Sequence, residues 1–141
     1  SGNFKNGSIT GIYTVLVEGD DTNEPIADTV RSIIDGHIVL SRKIASRNHY
    51  PAIDVLNSIS RLMSGITEPE HKTAANKLRS MLAVYRENED LISIGAYKSG
   101  NNSELDNALE HMKKVNDFLI QKVDEPSSFD ETLKLLIESV K

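Results

Sequence analysis

The stretch SITGIYTVLVEG, residues 8–19, constrains the fold most, because its β-branched, aromatic and apolar residues fall on both alternating faces. Such a strand is typical of a parallel sheet, in which both faces are covered. In the next segment, apolar residues recur at helical spacing: Ile26, Val30, Ile33 and Ile34. Gly36 is predicted to end that helix, His37 to Ser41 to form a second strand, and Arg42 to Arg47 a helical turn. The order strand, helix, strand predicts a βαβ unit.

Two strands cannot cover both faces of the apolar strand from Ile9 to Val17, so we expect a further element to pack beside it. The acidic stretch VLVEGDD, Val15 to Asp21, has two possible interpretations. A carboxylate at a strand end can hold a magnesium-bound nucleotide. Because Gly19 precedes the Asp pair, the residues favour the other one, a solvated acidic turn that caps the next helix.

The sequence after Met63 is predicted to be helical. Thr67 and Glu70 have capping-box spacing with Pro69 in the first turn, so a long helix should begin there. It should continue or kink through Leu91 and Ile94 and stop at Gly95. One face of this helix is apolar: Ala74, Leu78, Met81, Leu82 and Tyr85.

Two more helices follow a loop at Lys98 to Asn102. The first is capped near Ser103 and ends by Pro126, and Ser128 with Glu131 repeats the capping spacing for the second. Their predicted buried residues are Leu105, Leu109, Met112, Val115 and Leu119, then Leu133, Leu136 and Ile137. The predicted fold class is therefore α/β followed by all-α, with an incomplete α/β part over residues 1–66 and a helical domain over residues 67–141.

Composition excludes several classes of function. With 16 basic and 21 acidic side chains the formal charge is −5, and no basic stripe is present, so nucleic acid is not expected as a partner. The chain has no cysteine, which suits a reducing compartment, and its four histidines lack metal-ligand spacing, so we expect no metal site. The longest apolar run is too short to span a bilayer, which favours a soluble cytoplasmic protein.

The segment NHYPAIDVLNSISRLM, Asn48 to Met63, carries the residues that could bind a phosphate group. The guanidinium of Arg61 stays charged and can contact two phosphate oxygens at once. From the residues alone, the favoured interpretation of Arg61 is a surface arginine near a helix start. No GxxxxGK[ST] loop occurs in the sequence, so we do not expect this chain to hydrolyse nucleotide by itself.

Long collinear strings give the sequence a specific resemblance: GSITGIYTVLVEGDD, NEPIADTVRSIIDGHIVLSR, HYPAIDVLNSISRLM and LAVYRENEDLISIGAYKSG. They are similar to the protein-export ATPases of type III secretion, a branch of the rotary F1/V1-like ATPases, and most of all to the flagellar export ATPase. The resemblance implies the C-terminal part of a RecA-like P-loop ATPase domain followed by a helical bundle. The phosphate loop, the Mg²⁺-holding aspartate and the catalytic glutamate would lie upstream.

The resemblance also assigns site residues. Arg61 matches the arginine finger, which is expected to reach the γ-phosphate bound by the neighbouring protomer. Tyr50, followed by Pro51, matches the aromatic residue that stacks on adenine in rotary ATPases. Phe118 falls where those relatives place another aromatic, whereas Val123 is aliphatic where a second aromatic is common.

The implied protein hydrolyses ATP with Mg²⁺ as a homohexamer at the inner face of the membrane export gate and serves protein export as a translocase. Its implied partners are a stalk protein, regulators, chaperones and cargo. GAYKSGNNSELD stands where rotary synthases carry an acidic DELSEED-like string, so stalk contacts should differ in chemistry. Two alternatives remain open: an injectisome ATPase, and a non-catalytic helical interaction module. The predicted apolar strand from Ile9 to Val17 argues against the helical interaction module, because a self-sufficient module would not carry an uncovered strand.

Overall fold

A computed structural model describes residues 1–17, 19 and 24–141. They divide into two compact units, Ser1–Ile34 and Asp35–Lys141. The strands are β1 Gly2–Phe4, β2 Gly7–Ile9, β3 Gly36–His37 and β4 Ile59–Ser60. The helices are α1 Pro25–Ile33, α2 Arg42–Ala45, α3 Met63–Ile66, α4 Pro69–Glu87, α5 Glu89–Ser93, α6 Ser103–Leu119 and α7 Phe129–Ser139.

In the first unit, the predicted buried strand from Ile9 to Val17 is wrong beyond its first residue. Strand β2 ends at Ile9 and pairs antiparallel with β1, whereas residues 10–17 form no strand. The side chains of Ile12 and Leu16 are 93% and 91% exposed. A strand needs a hydrogen-bonded neighbour, and among the described residues none pairs with 10–17. The acidic part of the predicted turn, Glu18 with Asp20 and Asp21, lies outside the described residues.

Helix α1 is confirmed, with Pro25 in its first turn and Ile34 as its C-cap. It therefore ends before Gly36, which belongs to β3 and not to a helix end. A Cβ atom on Gly36 would lie 2.8 Å from the carbonyl oxygen of Ile59, so glycine permits the close approach of β3 to β4.

In the second unit, β3 pairs antiparallel with β4, and an isolated bridge joins Leu40 to Ile53. Of the predicted strand His37 to Ser41, only His37 lies in a regular strand, and Leu40 forms the isolated bridge to Ile53.

Helix α4 begins one residue later than the predicted N-cap at Thr67 implies. Its N-cap is Glu68, and Pro69 occupies the first turn as expected. The predicted capping box of Thr67 with Glu70 does not form, because Glu68 occupies the N-cap position and Thr67 is the C-cap of α3. The Thr67 hydroxyl donates to the Met63 carbonyl oxygen of α3 at 2.7 Å. The helix is interrupted at Asn88, between α4 and α5, which is earlier than the predicted kink at Leu91 to Ile94. Helix α5 ends at Ser93, close to the predicted stop at Gly95.

The remaining helix starts agree with the sequence. The Asn102 side chain accepts hydrogen bonds from the backbone N–H groups of Glu104 and Leu105 at the start of α6. Ser128 and Glu131 form the predicted capping box of α7. Helices α4, α6 and α7 bury one apolar core: Ala74, Leu78, Met81, Ala108, Val115, Leu136 and Val140.

Candidate functional site

Arg61 follows directly on strand β4, and its side chain is exposed. Its backbone N–H donates to the carbonyl oxygen of Asp35 at 2.8 Å, one residue before β3. The short pairing of β3 with β4 thus extends by one hydrogen bond to Arg61 itself. The backbone of Arg61 is thus held by a hydrogen bond, while the residue is exposed.

Residues 54–58, which we call the Asp54 turn, precede β4 and are closed by their own side chains. Asp54 Oδ1 accepts from the backbone N–H groups of Leu56 and Asn57 at 3.1 and 3.2 Å. The other oxygen, Oδ2, accepts from the Asn57 side-chain amide at 2.9 Å, and Ser58 Oγ donates to the Asp54 carbonyl at 2.7 Å. A carboxylate that accepts from N–H groups two and three residues ahead is typical of an Asx turn.

Two arginines of α4 hold the Asp54 turn from outside. Arg86 Nη2 donates to Asp54 Oδ1 at 2.8 Å. Arg79 Nη1 donates to the carbonyl oxygens of Val55 and Ser58 at 2.7 and 3.2 Å, and its Nη2 to that of Leu56 at 3.2 Å. The segment that ends in Arg61 is therefore bound to the helical part of the same unit.

Asp54 is 7% exposed, and its charge is balanced by these donors. Burial raises the pKa of Asp54, but the hydrogen bonds from Arg86 and Asn57 outweigh burial, so the pKa lies below the ordinary aspartate value. A carboxyl whose folded-state pKa is lowered stabilises the protein above its unfolded pKa, which is about 3.9. That contribution is lost as the pH falls through the folded-state pKa.

We expect Asp54→Asn to lower the free energy of unfolding by about 1.5–3 kcal/mol at neutral pH, since hydrogen bonds to a charged acceptor are lost. The difference from the parent chain should shrink as the pH falls from about 5 to below 3.9, where Asp54 becomes protonated. Urea denaturation followed by circular dichroism at several pH values measures this. Asp117→Asn, at an exposed position of α6, is the control. A difference that does not change with pH would contradict this account.

Tyr50 lies beside the end of α6. Its carbonyl oxygen accepts from the backbone N–H of Gln121 at 3.0 Å, and its side chain is 53% exposed. The peptide bond to Pro51 is cis, and Pro51 is exposed. Tyr50 as a residue is thus about half accessible to a ligand.

The two other predicted adenine residues flank Gln121 in the sequence. Phe118, in the last turn of α6, is half-buried and packs against the core of the helices, whereas Val123 is fully exposed. The structure therefore brings the Tyr50 backbone to the stretch between Phe118 and Val123. The backbone hydrogen bond of Arg61 joins it to Asp35 and does not connect it to Tyr50 or to the stretch between Phe118 and Val123.

A cleft of about 350 Å³ lies between residues 53–56 and helices α2, α4, α5 and α6. Its lining is mostly apolar and includes neither Tyr50 nor Phe118. At its rim Glu89 accepts a hydrogen bond from Lys43 at 3.3 Å and pairs with Arg47. The hydrogen bond that Arg47 donates to Glu89 lowers the pKa of Glu89 and raises the pKa of Arg47. These ion pairs join α2 and the residues that follow it to α5.

Sequence reasoning missed Asp54, Arg79 and Arg86. The spacing of Asp54 and Asn57 is a local turn signal that could have been recognised. The two arginines could not, because each contacts residues more than twenty positions away. Within the described ranges, no helix is both long and apolar enough to cross a bilayer.

Residues 1–60 match the nucleotide-binding domain of the ATP synthase alpha/beta family. Residues 67–138 match the T3SS EscN ATPase C-terminal domain. The first match and the fold define part of a rotary-type nucleotide-binding ATPase, which confirms the predicted fold class. The second match covers more than half of the chain, so the chain belongs to the type III secretion system ATPase family.

Relatives along the whole chain agree with this family. The chain is 52% identical to the flagellum-specific ATP synthase of Bacillus subtilis (strain 168), over 96% of this chain and 31% of the relative. It is 50% identical to the type 3 secretion system ATPase of Pseudomonas savastanoi pv. phaseolicola, over 97% and 30%. The chain thus spans about three tenths of the length of these relatives. The resemblance to type III export ATPases is confirmed.

Solved structures give the same result. The assembled ATPase EscN from the type III secretion system of enteropathogenic E. coli has a TM-score of 0.91 at 45% identity. That match covers 96% of this chain and 33% of the EscN chain. EscN in complex with its central stalk EscO has a TM-score of 0.88 at 42% identity, over 99% and 33%.

Proposed function

We propose that this chain is the C-terminal portion of an ATPase that hydrolyses ATP to energise flagellar type III protein export. The observation that carries the proposal is the likeness to assembled EscN over 96% of the chain. The B. subtilis relative, at 52% identity, supports the flagellar assignment. The phosphate loop and the Mg²⁺ ligands would lie in the part of the relatives that this chain does not span, so this chain alone would be inactive.

In this proposal the full-length protein forms a homohexamer, and Arg61 acts on ATP bound by the neighbouring protomer. The exposed side chain of Arg61 and its hydrogen-bonded backbone support this role. An arginine finger must extend beyond its own protomer, and the backbone that carries it must stay in place. Bound ATP with Mg²⁺ supplies the phosphoryl group, and the planar guanidinium stabilises the negative charge on the oxygens during transfer.

The same chain would also contact the adenine of its own nucleotide. The half-exposed ring of Tyr50 fits a stacking role, with Pro51 restricting the backbone beside it. Phe118 and Val123 would complete the pocket, since the stretch between them is hydrogen-bonded to the Tyr50 carbonyl. The aliphatic Val123 offers a smaller apolar surface to the base than an aromatic residue would.

We further assign residues 67–141 to a helical domain that meets a stalk protein, regulators, chaperones or cargo. The EscN complex with its central stalk EscO supports the stalk as one partner. Residues 1–66 would then be the end of the nucleotide-binding domain. The assembled protein would work as a translocase in the cytoplasm, peripheral to the membrane export gate.

An injectisome ATPase is a second candidate, because the Pseudomonas savastanoi relative is almost as similar at 50% identity. The chemistry would be the same and the cargo different. Deleting the gene and testing motility separates the two, since only the flagellar protein is needed for filament assembly.

Mixed rings test the action of Arg61 in trans. Full-length Arg61→Ala protomers are combined with protomers whose phosphate loop cannot bind nucleotide. Each pure ring should be nearly inactive. At some interfaces of a mixed ring, the intact nucleotide pocket of an Arg61→Ala protomer faces the intact Arg61 of a phosphate-loop variant. We expect ATP turnover in the mixture to exceed that of both pure rings. No recovery in mixed rings of verified composition would refute action in trans.

A further inference from the structure

The guanidinium of Arg79 lies among three carbonyl oxygens of the Asp54 turn. These belong to Val55, Leu56 and Ser58, at 2.7, 3.2 and 3.2 Å. A partly buried carbonyl needs a donor, and a turn offers few backbone N–H groups in the right direction. The rigid fork of an arginine supplies several donors from one point.

This contact lies close to the predicted finger. Ser58, the last residue held by Arg79, is separated from Arg61 only by the two residues of β4. Arg61 is fixed on its other side by the hydrogen bond to Asp35. The position of the Arg61 backbone therefore depends on β3 and on Arg79 together.

Arg79 lies on a helix that is packed into the core. Its neighbour Leu78 is 3% exposed in the core formed by α4, α6 and α7. A second contact from the same helix, Arg86 to Asp54, holds the start of the turn. Helix α4 thus links the packed helices to the segment that ends in Arg61.

We propose that Arg79 is a positioning residue for Arg61: it fixes the Asp54 turn so that the finger reaches the neighbouring triphosphate. This inference rests on the proposed function of Arg61. Tyr50 is held separately, through Gln121, so loss of Arg79 should displace the finger and leave the adenine contact in place. The effect should fall on the chemical step and not on ATP binding.

The test uses the full-length ring with Arg79→Met, which keeps an unbranched apolar stem and removes the donors. We expect kcat for ATP hydrolysis to fall about 10- to 100-fold, because misplacing a catalytic group by about 1 Å has an effect of this size. KM for ATP should be unchanged. Arg79→Lys should restore kcat only in part, since an ammonium cannot span three carbonyls as the fork does.

A double-mutant cycle separates positioning from general damage. If Arg79 acts through Arg61, Arg79→Met should lower kcat no further in rings that already carry Arg61→Ala. Lys77→Met is the matched control, because Lys77 also donates from α4 to a backbone carbonyl, that of Val140 in the C-terminal segment. It should leave kcat unchanged. Ring assembly is checked by mass, and if Arg79→Met rings do not form, the cycle is run with Arg79→Lys.

The outcomes distinguish the two proposals. If Arg61→Ala alone leaves kcat unchanged, the finger assignment fails and this inference fails with it. If Arg61→Ala lowers kcat but the Arg79 variant does not, or lowers it equally in both backgrounds, only the positioning role of Arg79 is overturned.

Discussion

We expect ATP turnover by the assembled full-length ring to fall about 10³- to 10⁵-fold when Arg61 is replaced by alanine. The reason is electrostatic. Negative charge spreads over the phosphoryl oxygens in the transition state, and a guanidinium delivered from the neighbouring protomer offsets it at the moment of transfer. Nucleotide binding by the monomer should be unaffected, because the finger belongs to another protomer's site. Steady-state hydrolysis and nucleotide titration measure the two quantities.

Two further variants sharpen this measurement. Arg61→Lys keeps the charge but loses the fork of donors, so it should recover only part of the turnover. Lys134→Ala removes a cation from an exposed position of α7 and should change nothing. Unchanged turnover in Arg61→Ala rings of the correct mass would exclude Arg61 as the finger.

The parts of the fold that the sequence predicted correctly depend on local interactions. The capping box of Ser128 with Glu131 and the position of Pro69 in the first turn of α4 each act within a few residues. Thr67 shows where local reasoning fails, because this residue is the C-cap of α3 and the N-cap of α4 is Glu68. A capping motif predicts a helix start only where the preceding helix has already ended.

The errors in the α/β part have a different cause. Periodicity predicted that residues 10–17 have the character of a buried strand, but it cannot supply a neighbouring strand to pair with them. Likewise, no sequence pattern indicates that Arg79 contacts Ser58 or that Arg86 contacts Asp54. Arg61 and Tyr50 were singled out through a family resemblance, and their roles remain proposals. Arg79 and Arg86, which contact the Asp54 turn, are identified only by the three-dimensional structure.

Leu78 connects the stability of the helices with the position of the finger. It packs with Val115 of α6 and Leu136 of α7 in the buried core, and it is adjacent to Arg79 on α4. A cavity at this point would weaken the contact between the helices and loosen the base from which Arg79 reaches the Asp54 turn. The effect of such a cavity should therefore be measurable first as a lower free energy of unfolding.

We expect Leu78→Ala to reduce the free energy of unfolding of this chain by about 2–5 kcal/mol, from lost apolar burial and the cavity that remains. Leu78→Met, which nearly conserves volume, should cost less than about 1.5 kcal/mol. Asn76→Ala, on the exposed side of α4, should change stability by about 0.5 kcal/mol or less. Urea denaturation followed by circular dichroism ranks the three variants. If Leu78→Ala were no more destabilising than Asn76→Ala, α4 would not be anchored through this core, and a rigid base for Arg79 would be ruled out.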